Sequence, residues 1–600
     1  MKLKLGWNRA SCTPDTLCPG VLFFSALYKG NMELTRSYKI FISQNASPTV
    51  KYAAEELRKY LNLICKFLDL DIIYNSVPSS VPEIVVGSTF RTCPTVKINN
   101  ASDSVYISVE NGSIYLCGSS ERAVIYAVYR FLEYIGCRFF SSDTEKIPSL
   151  DSIVIDDSLE IAEGSPFEYR DIYCSCAFDT DLSLKWKLNG TCKNPKGIGR
   201  SIPSYMGGGV EYAGPYFVHT FSVLVPPGEY FESHSEYFSE IDGSRTSKHL
   251  YSQLCMTNPD VVDIAAEKAK SWLRENPECK IVSVSQNDSF ILKSYCQCPD
   301  CSRMIEKEGA ASGALIGFVN SVAEKIEEEF PNVTVDTLAY QYSVKPPKYI
   351  KPRENVCVRL CTGACFSHTI ENCENNLPVK IALKEWSSIC NKLYIWDYST
   401  NFAQYLTPFP DFDAKAQNIK LFKDSNVKGV FIQGQYNGGN SGEFGELRSY
   451  LLSRALWNPD TDWRKEAAEF IDCYYGGASP YIKEYLKFIH QKIKSAHLCC
   501  AASCKDIWSE LISDSELDYL DVLWSSAKSS AQSGEHPENS LLHTRRSSMC
   551  HEWFKLDSRR KEYSDGQTYE KLKEKFYEEC RLLGIQKLSE GVGIPDCNPR

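Results

Sequence analysis

Val333–Tyr340 VTVDTLAY, Val356–Cys361 VCVRLC, Leu393–Tyr398 LYIWDY and Val427–Gln433 VKGVFIQ are short runs rich in β-branched and aromatic residues, separated by longer segments, many of helical period. Strands spaced this widely cannot be joined as tight hairpins; they need crossovers, and crossovers imply a parallel sheet. Reading outward adds YRDIYCS at 169–175, YFVHTF at 216–221, SQLCMT at 252–257 and KIVSVSQ at 280–286, for eight strands in all. Eight strands with crossovers predict a (β/α)8 TIM-like barrel over 165–462. Leu315, Val319, Val322 and Ile326 lie on one helical face and supply the crossover after the fourth strand. The segment after the fifth, QYSVKPPKYIKPREN, carries prolines that forbid a long helix, so one unit is irregular.

Before the barrel, residues 32–160 read as a small α/β accessory domain. A helix places Ala53, Leu57, Leu61 and Ile64 on one face, EIVVG follows at 83–87, and VYISVENGSIYLCG alternates on both sides of Asn111-Gly112, a strong hairpin signal. A second helix aligns Val124, Ala127, Val128, Phe131, Leu132 and Ile135 and stops at Gly136. After the barrel, residues 463–600 lose the alternating runs and keep helical periodicity, for example Tyr481, Ile482, Tyr485, Leu486 and Ile489, which predicts a helical C-terminal domain packed against the barrel. Residues 1–31 stand outside this patterning as an N-terminal extension.

A chain of 600 residues exceeds one ordinary hydrophobic core, in keeping with several domains. The formal charge of -10 argues against nucleic acid or an anionic membrane as the main partner. No stretch is long and apolar enough for a spanning helix, and Gly20–Tyr28 makes a poor signal peptide. The 26 cysteines are scattered rather than spaced as a disulfide scaffold, so the expected location is the cytoplasm with reduced thiols, and secretion is the alternative.

In a barrel, chemistry collects where the βα loops converge at the C-terminal ends of the strands. Those positions hold Asn287 and Asp288, Tyr340, then Trp396, Asp397 and Tyr398, and beyond the last strand Tyr436 and Glu443. Carboxylates beside aromatic rings and amides suit a neutral sugar: the carboxyl groups handle protons and positive charge at the anomeric carbon, and ring faces pack on the pyranose. Asp288 and Glu443 are the expected catalytic pair; His219, Asn287, Tyr340, Trp396, Asp397, Tyr398 and Tyr436 are expected to contact substrate. Each has a structural alternative: Asp288 as a loop cap, Glu443 as a first-turn helix charge, Asp397 as a buried hydrogen-bonding group, His219 as a satisfied strand residue, the aromatics as core. Cys296, Cys298 and Cys301 in YCQCPDC are a weak metal candidate, because no fourth ligand is evident nearby and HExxH is absent.

Several of these motifs occur in order in a known family. HTFSVLVPPGEYF, VSVSQND with YCQCPDC, DTLAYQYSVKPP, LYIWDYSTNFAQYLTPFP and GGNSGEFGELRSYLLSRALWNPD resemble domain of unknown function 4838, which is associated with the endo-β-N-acetylglucosaminidases of glycoside hydrolase family 163. RAVIYAVYRFLEYIGCRFF resembles the α/β domain that precedes the barrel in hexosaminidases and α-glucuronidases. The resemblance implies retaining cleavage of β-linked N-acetylglucosamine in an oligosaccharide or glycan, with neither metal nor organic cofactor. One departure is Ile432, where relatives of this type carry a glutamate. A barrel that binds glycans without cleaving them, and an α-glucuronidase-like hydrolase, are the alternatives.

Overall fold

The computed structural model describes residues 30–74, 82–87, 102–248, 252–289, 291–440, 442–500, 507–533, 536–559 and 566–595. The proposed extension therefore lies almost wholly outside the described residues.

The N-terminal part is a six-stranded mixed sheet, in the order Glu160–Ser165, Ser102–Glu110, Ser113–Gly118, Glu83–Val86, Lys39–Phe41 and Ile72–Ile73. Asn111 (φ 51°) and Gly112 (φ 77°) form the tight turn between Ser102–Glu110 and Ser113–Gly118, as the Asn-Gly pair predicts. Helix Pro48–Ile64 starts at Ser47, whose hydroxyl accepts from Val50 N, with proline in the first turn. Helix Glu121–Ile135 is capped in the same way by Ser120 and ends at Gly136, where φ is 121°. The apolar faces of both helices share one core with this sheet.

The central sheet is parallel and curled, built from β1 (Tyr169–Tyr173), β2 (Tyr212–Ala213), β3 (Ile281–Ser283), β4 (Thr334–Ala339), β5 (Val356–Cys361), β6 (Lys392–Tyr398) and β7 (Gly429–Gln433). Its order is β1-β7-β6-β5-β4-β3-β2, the arrangement of a TIM-like barrel with one position missing between β1 and β2. Asn189–Thr191 occupies that position. Asn189 N and Gly190 N donate to Arg170 O on β1 at 3.1 and 3.0 Å, and Val210 N, just before β2, donates to Asn189 O at 2.7 Å. Gly190 has no room for a side chain, since a Cβ there would lie 2.5 Å from that of Asp171.

Two of the expected strands are corrected. YFVHTF does not enter the sheet: His219 adopts φ 55°, which breaks an extended run, and Phe221–Leu224 is a short helix. SQLCMT makes a lone antiparallel bridge from Leu254 to Phe238, and its apolar character comes from burial of Leu254 and Met256 in the main core rather than from the sheet. The crossover after β4 is irregular, as its prolines require, while Ser312–Glu327 is the crossover helix between β3 and β4.

Helices Trp463–Tyr475, Ser479–Lys492, Asp514–Ser530 and Pro537–Ser558 follow the sheet, and Tyr475, Tyr485 and Trp524 pack their rings around Phe444 beside it. The chain then returns past Gly566–Leu582 to the sheet's C-terminal edge, where Asn440 N donates to Gly584 O (3.0 Å) and Tyr405 N to Leu588 O (2.7 Å). Among the described residues no helix is long and apolar enough to cross a membrane.

Buried ion pairs lock the N-terminal part to the rest. Arg170 donates to Asp103 at 2.8 Å, and Glu133 receives Lys187 at 3.1 Å and Arg454 at 2.9 Å. Burial alone would raise the Glu133 carboxyl, but Arg454, Lys187 and Arg130 outweigh it and hold it at about 2 against an ordinary 4.5. A lowered pKa contributes stability above the unfolded value that is lost as pH falls through the folded one. Glu133→Gln should therefore cost about 3 kcal/mol at pH 7. The wild-type advantage should shrink between pH 4.5 and about 2, as read by calorimetric melting of both proteins across that range.

Candidate active site

Side-chain alternation along the strands divides the sheet into an inner and an outer face. Tyr169, Asp171 and Tyr173 of β1, Asp336 and Leu338 of β4, Cys357, Arg359 and Cys361 of β5, Tyr394 and Trp396 of β6 and Phe431 of β7 point inward, while Ile172, Val358, Ile395 and Ile432 meet the helices. The inner face is layered. At its base the fully buried Arg359 donates to Asp336 (2.8 Å), contacts the Tyr212 hydroxyl, and lies 5.2 and 5.5 Å from the ring centres of Tyr169 and Tyr394, which stack on each other. Asp171 is bound by Arg200 at 2.7 Å and by the Tyr169 hydroxyl at 3.0 Å. These charges are paired with one another at the bottom of the sheet's inner face, although Asp336 Oδ1 and Arg359 Nη1 are left without a hydrogen-bond partner among the described residues.

Above them lies an aromatic layer. Trp396 stacks on Phe217 with ring centres 5.7 Å apart and packs on Phe431 at 4.4 Å, and its indole N–H donates to Gln433 Oε1 at 3.1 Å. Tyr173 packs on Phe431 and on Tyr436. Trp396 is thus mostly the floor of the mouth, 8% exposed.

At the mouth, Asp288 is half-buried in the loop after β3, and its Oδ1 is buried with no hydrogen-bond partner among the described residues. The strand has ended at Ser283, so alternation no longer governs where Asp288 points. Its charge reaches groups on three strand ends. Burial and then the Asp288 carboxylate push the Tyr340 phenol up, while for Tyr398 and Cys361 burial dominates and Asp288 adds to it. Asp288 therefore lies near the ends of β4, β5 and β6, where these three groups sit. Asp336 Oδ1 at the base is unpartnered in the same way, but Asp288 Oδ1 is at the mouth, where a ligand or water can supply the missing bond.

His219 lies beside this group, with its ring 6.1 Å from Tyr340 and Nδ1 2.8 Å from Gln286 O. A carbonyl only accepts, so Nδ1 carries the proton and Nε2 of the neutral ring is an acceptor. Gln286 also donates to Tyr340 O (2.9 Å) and accepts from the Ser343 hydroxyl (2.6 Å), joining the loops after β3 and β4. Both His219 (φ 55°) and Gln341 (φ 54°) hold left-handed backbone here, a cost characteristic of functional loops. On the other side of the mouth the Tyr436 hydroxyl donates to Glu590 Oε1 at 2.9 Å. Glu590 arrives with the returning C-terminal segment, 154 residues away from Tyr436, so no local pattern could have revealed it.

Three of the expected residues lie elsewhere. The Asn287 amide is spent on Ser222 N and Ser252 O, and its backbone is clasped by Gln253. Asp397 faces the helices, where it receives Lys415 at 2.5 Å and the Thr362 hydroxyl at 2.6 Å. Glu443 is buried behind β7, accepting from Phe409 N (2.8 Å) and the Tyr485 hydroxyl (2.9 Å), and burial raises its carboxyl. Ile432 lines the same small cavity as Glu443, on the outer face, whereas Gln433 reaches the mouth. The structure thus brings Asp288, His219, Tyr340, Trp396 and Tyr398 together, with Tyr436 at the rim, and separates them from Asn287, Asp397 and Glu443. Accordingly, Glu443→Ala should strand two buried donors and cost about 2–4 kcal/mol. In urea unfolding, Asp288→Asn should instead remain within about 0.5 kcal/mol of wild type or be stabilised.

A family model described as Domain of unknown function (DUF4838) matches residues 139–487, more than half of the chain. Among solved structures the chain is similar to a family GH115 4-O-methyl-alpha-glucuronidase with specificity for decorated arabinogalactans. The TM-score is 0.57 at 10% identity, over 92% of this chain and 76% of that one. It is also similar to a family 89 glycoside hydrolase from Clostridium perfringens in complex with its substrate GlcNAc-alpha-1,4-galactose, with TM-score 0.53 at 12% identity. That likeness covers 89% of this chain and 65% of the other, so the chain spans just under two thirds of that enzyme's length. At these identities the likeness is one of fold. No curated protein matches the sequence.

Proposed function

The chain belongs to the DUF4838 family, and from that premise we propose that it is a glycoside hydrolase that cleaves β-linked N-acetylglucosamine in glycans with retention of configuration. The observation that carries this reading is the unpartnered Asp288 carboxylate oxygen above an aromatic floor of Trp396, Phe217 and Phe431. An acetamide N–H or a sugar hydroxyl is the donor that such a carboxylate lacks, and the rings offer apolar faces to a pyranose. The fold likeness to a glucuronidase and to an enzyme solved with a GlcNAc-containing substrate supports the same class.

With Glu443 behind β7, a double displacement between Asp288 and Glu443 is not the favoured route. The acetamide route fits the geometry better: the substrate's carbonyl oxygen attacks the anomeric carbon as the bond to the leaving group breaks, and water then opens the cyclic intermediate. Asp288 is assigned to orient the acetamide, and rim residue Glu590 to protonate the departing oxygen. A uronate substrate is disfavoured, because Arg359 is buried below the aromatic layer and committed to Asp336. The specific observation behind a binding-only reading is that Glu590 is already engaged by Tyr436.

The test is hydrolysis of N-acetylglucosamine-terminated glycans and aryl glycosides, with the anomer of the product read by NMR. Wild type should release sugar as the β-anomer. Asp288→Asn and Glu590→Gln should each lower kcat by about 100-fold or more, and Glu443→Gln should keep kcat near wild type in the folded fraction. Binding of the same glycans with no release from any of them would sink the hydrolase reading in favour of a glycan-binding barrel.

A further inference from the structure

Cys296, Cys298 and Cys301 lacked a fourth partner in the sequence; the fold supplies Cys255. All four are buried, and their sulfur atoms lie within 4.8 Å of one another. Cys255 Sγ is 3.7 Å from that of Cys298 and 4.0 Å from that of Cys301. A disulfide would bring two sulfurs to about 2.05 Å, whereas four thiolates about 2.3 Å from one zinc ion stand about 3.8 Å apart along the edges of a tetrahedron. The surroundings suit thiolates as well. Glu240 N and Arg245 donate to Cys296 Sγ (3.4 and 3.5 Å), and the Thr257 hydroxyl is 3.2 Å from Cys301 Sγ. Cys298 and Cys301 bracket the start of helix Pro299–Glu308, where the helix dipole favours negative charge. We propose that Cys255, Cys296, Cys298 and Cys301 form a structural zinc site.

Four protein ligands leave no open position for chemistry, so this ion serves structure. Each thiol loses its proton on binding, and the binding energy becomes folding energy. What it holds is specific. Two residues before Cys255, Gln253 accepts from Asn287 N at 2.8 Å and donates to Asn287 O at 3.1 Å, next to Asp288. The metal therefore fixes both ends of the loop that presents the Asp288 carboxylate. The claim about the loop's role rests on the reading of Asp288 given above; the claim of a metal site does not.

A second cluster carries the same inference independently. Cys365, His368, Cys373 and His497 place one ligand atom each within 4.8 Å of the others. Cys365 Sγ is 3.3 Å from Nδ1 of both His368 and His497, and Cys373 Sγ is 3.6 Å from His497 Nδ1. The sulfur–nitrogen edge of a tetrahedral zinc site is about 3.5 Å. The other nitrogen of His368, Nε2, is 3.2 Å from Lys494 O, the outer hydrogen bond that orients a metal-bound imidazole. This site would tie the loop after β5 to the segment after helix Ser479–Lys492.

Full-length protein purified under reducing conditions without added metal, then dialysed against a weak chelator, should retain about two zinc ions per chain by elemental analysis. Cys296→Ser/Cys301→Ser and Cys365→Ser/His497→Ala should each retain about one. Should a variant fail to fold, wild type decides: stripped of zinc and loaded with cobalt(II), it should show the intense visible bands of tetrahedral thiolate coordination. A strong chelator should expose Cys255, Cys296, Cys298 and Cys301 to a thiol reagent, with a lowered melting temperature. Metal-free protein that binds no cobalt, or a disulfide among these four cysteines, overturns the first site; a single zinc lost only with Cys296→Ser/Cys301→Ser overturns the second. Metal content reads the sites whether or not sugar is released: zinc bound without hydrolysis leaves them standing and removes the hydrolase reading, and hydrolysis without zinc does the reverse.

Discussion

The buried guanidinium of Arg170 is the tie on which the architecture depends. Its Nη2 meets Asp103 of the N-terminal sheet at 2.8 Å, its Nε donates to Lys187 O at 2.8 Å, and its backbone carbonyl receives both N–H groups that set Asn189 and Gly190 beside β1. Asp103 in turn binds Arg122 and the Asn189 amide. One largely buried charge cluster therefore attaches the N-terminal sheet and sits beside the segment that fills the gap in the curled sheet. Removing the Asp103 carboxylate would leave Arg170 as an unpaired ion in the interior, a cost of several kcal/mol. The side-chain-free contour at Gly190 belongs to the same device, because the closing segment must lie against Asp171.

Closure of the base has a consequence for the mouth. Arg359, Asp336 and Tyr212 are paired and buried below the aromatic floor, so the polar groups within reach of a ligand at the mouth are those in the loops above it. There Gln286 and Ser343 join two loops, and the strained backbones of His219 and Gln341 are held by that joint. A rigid frame beneath a set of loops is the arrangement in which a poorly satisfied carboxylate such as Asp288 persists. The cysteine cluster extends the frame, since Cys255 contacts Cys298 and the nearby Gln253 holds Asn287 in the same loop.

Local pattern carried much of the fold. Six of the eight expected strands contribute residues to the sheet, because parallel strands buried on both faces need continuous apolar runs that nothing else in the chain imitates for long. The Asn-Gly turn, the serine caps and the Gly136 stop were equally legible, since each is decided by backbone geometry within a few residues. YFVHTF and SQLCMT misled because apolar content reports burial, and burial in the core does not require a strand. The site was legible only in part. The rule of strand and loop ends picked Asp288, His219, Tyr340, Trp396, Tyr398 and Tyr436, which the structure gathers at the mouth. It also picked Asn287, whose amide is spent on Ser222 and Ser252, Asp397, which faces the helices, and Glu443, which lies behind β7.

By itself the sequence determined most of the helices, six of the sheet strands and their parallel, crossover-linked character, because periodicity, caps and turn chemistry act over a few residues. Only the tertiary structure decided that Asp288 keeps an unpartnered oxygen while Asp397 and Glu443 are engaged, that Cys255 joins the cysteines of YCQCPDC, and that Glu590 returns beside Tyr436. Those pairings join residues far apart in the chain. Their geometry is set by how the layers pack, and no local preference of the backbone encodes it.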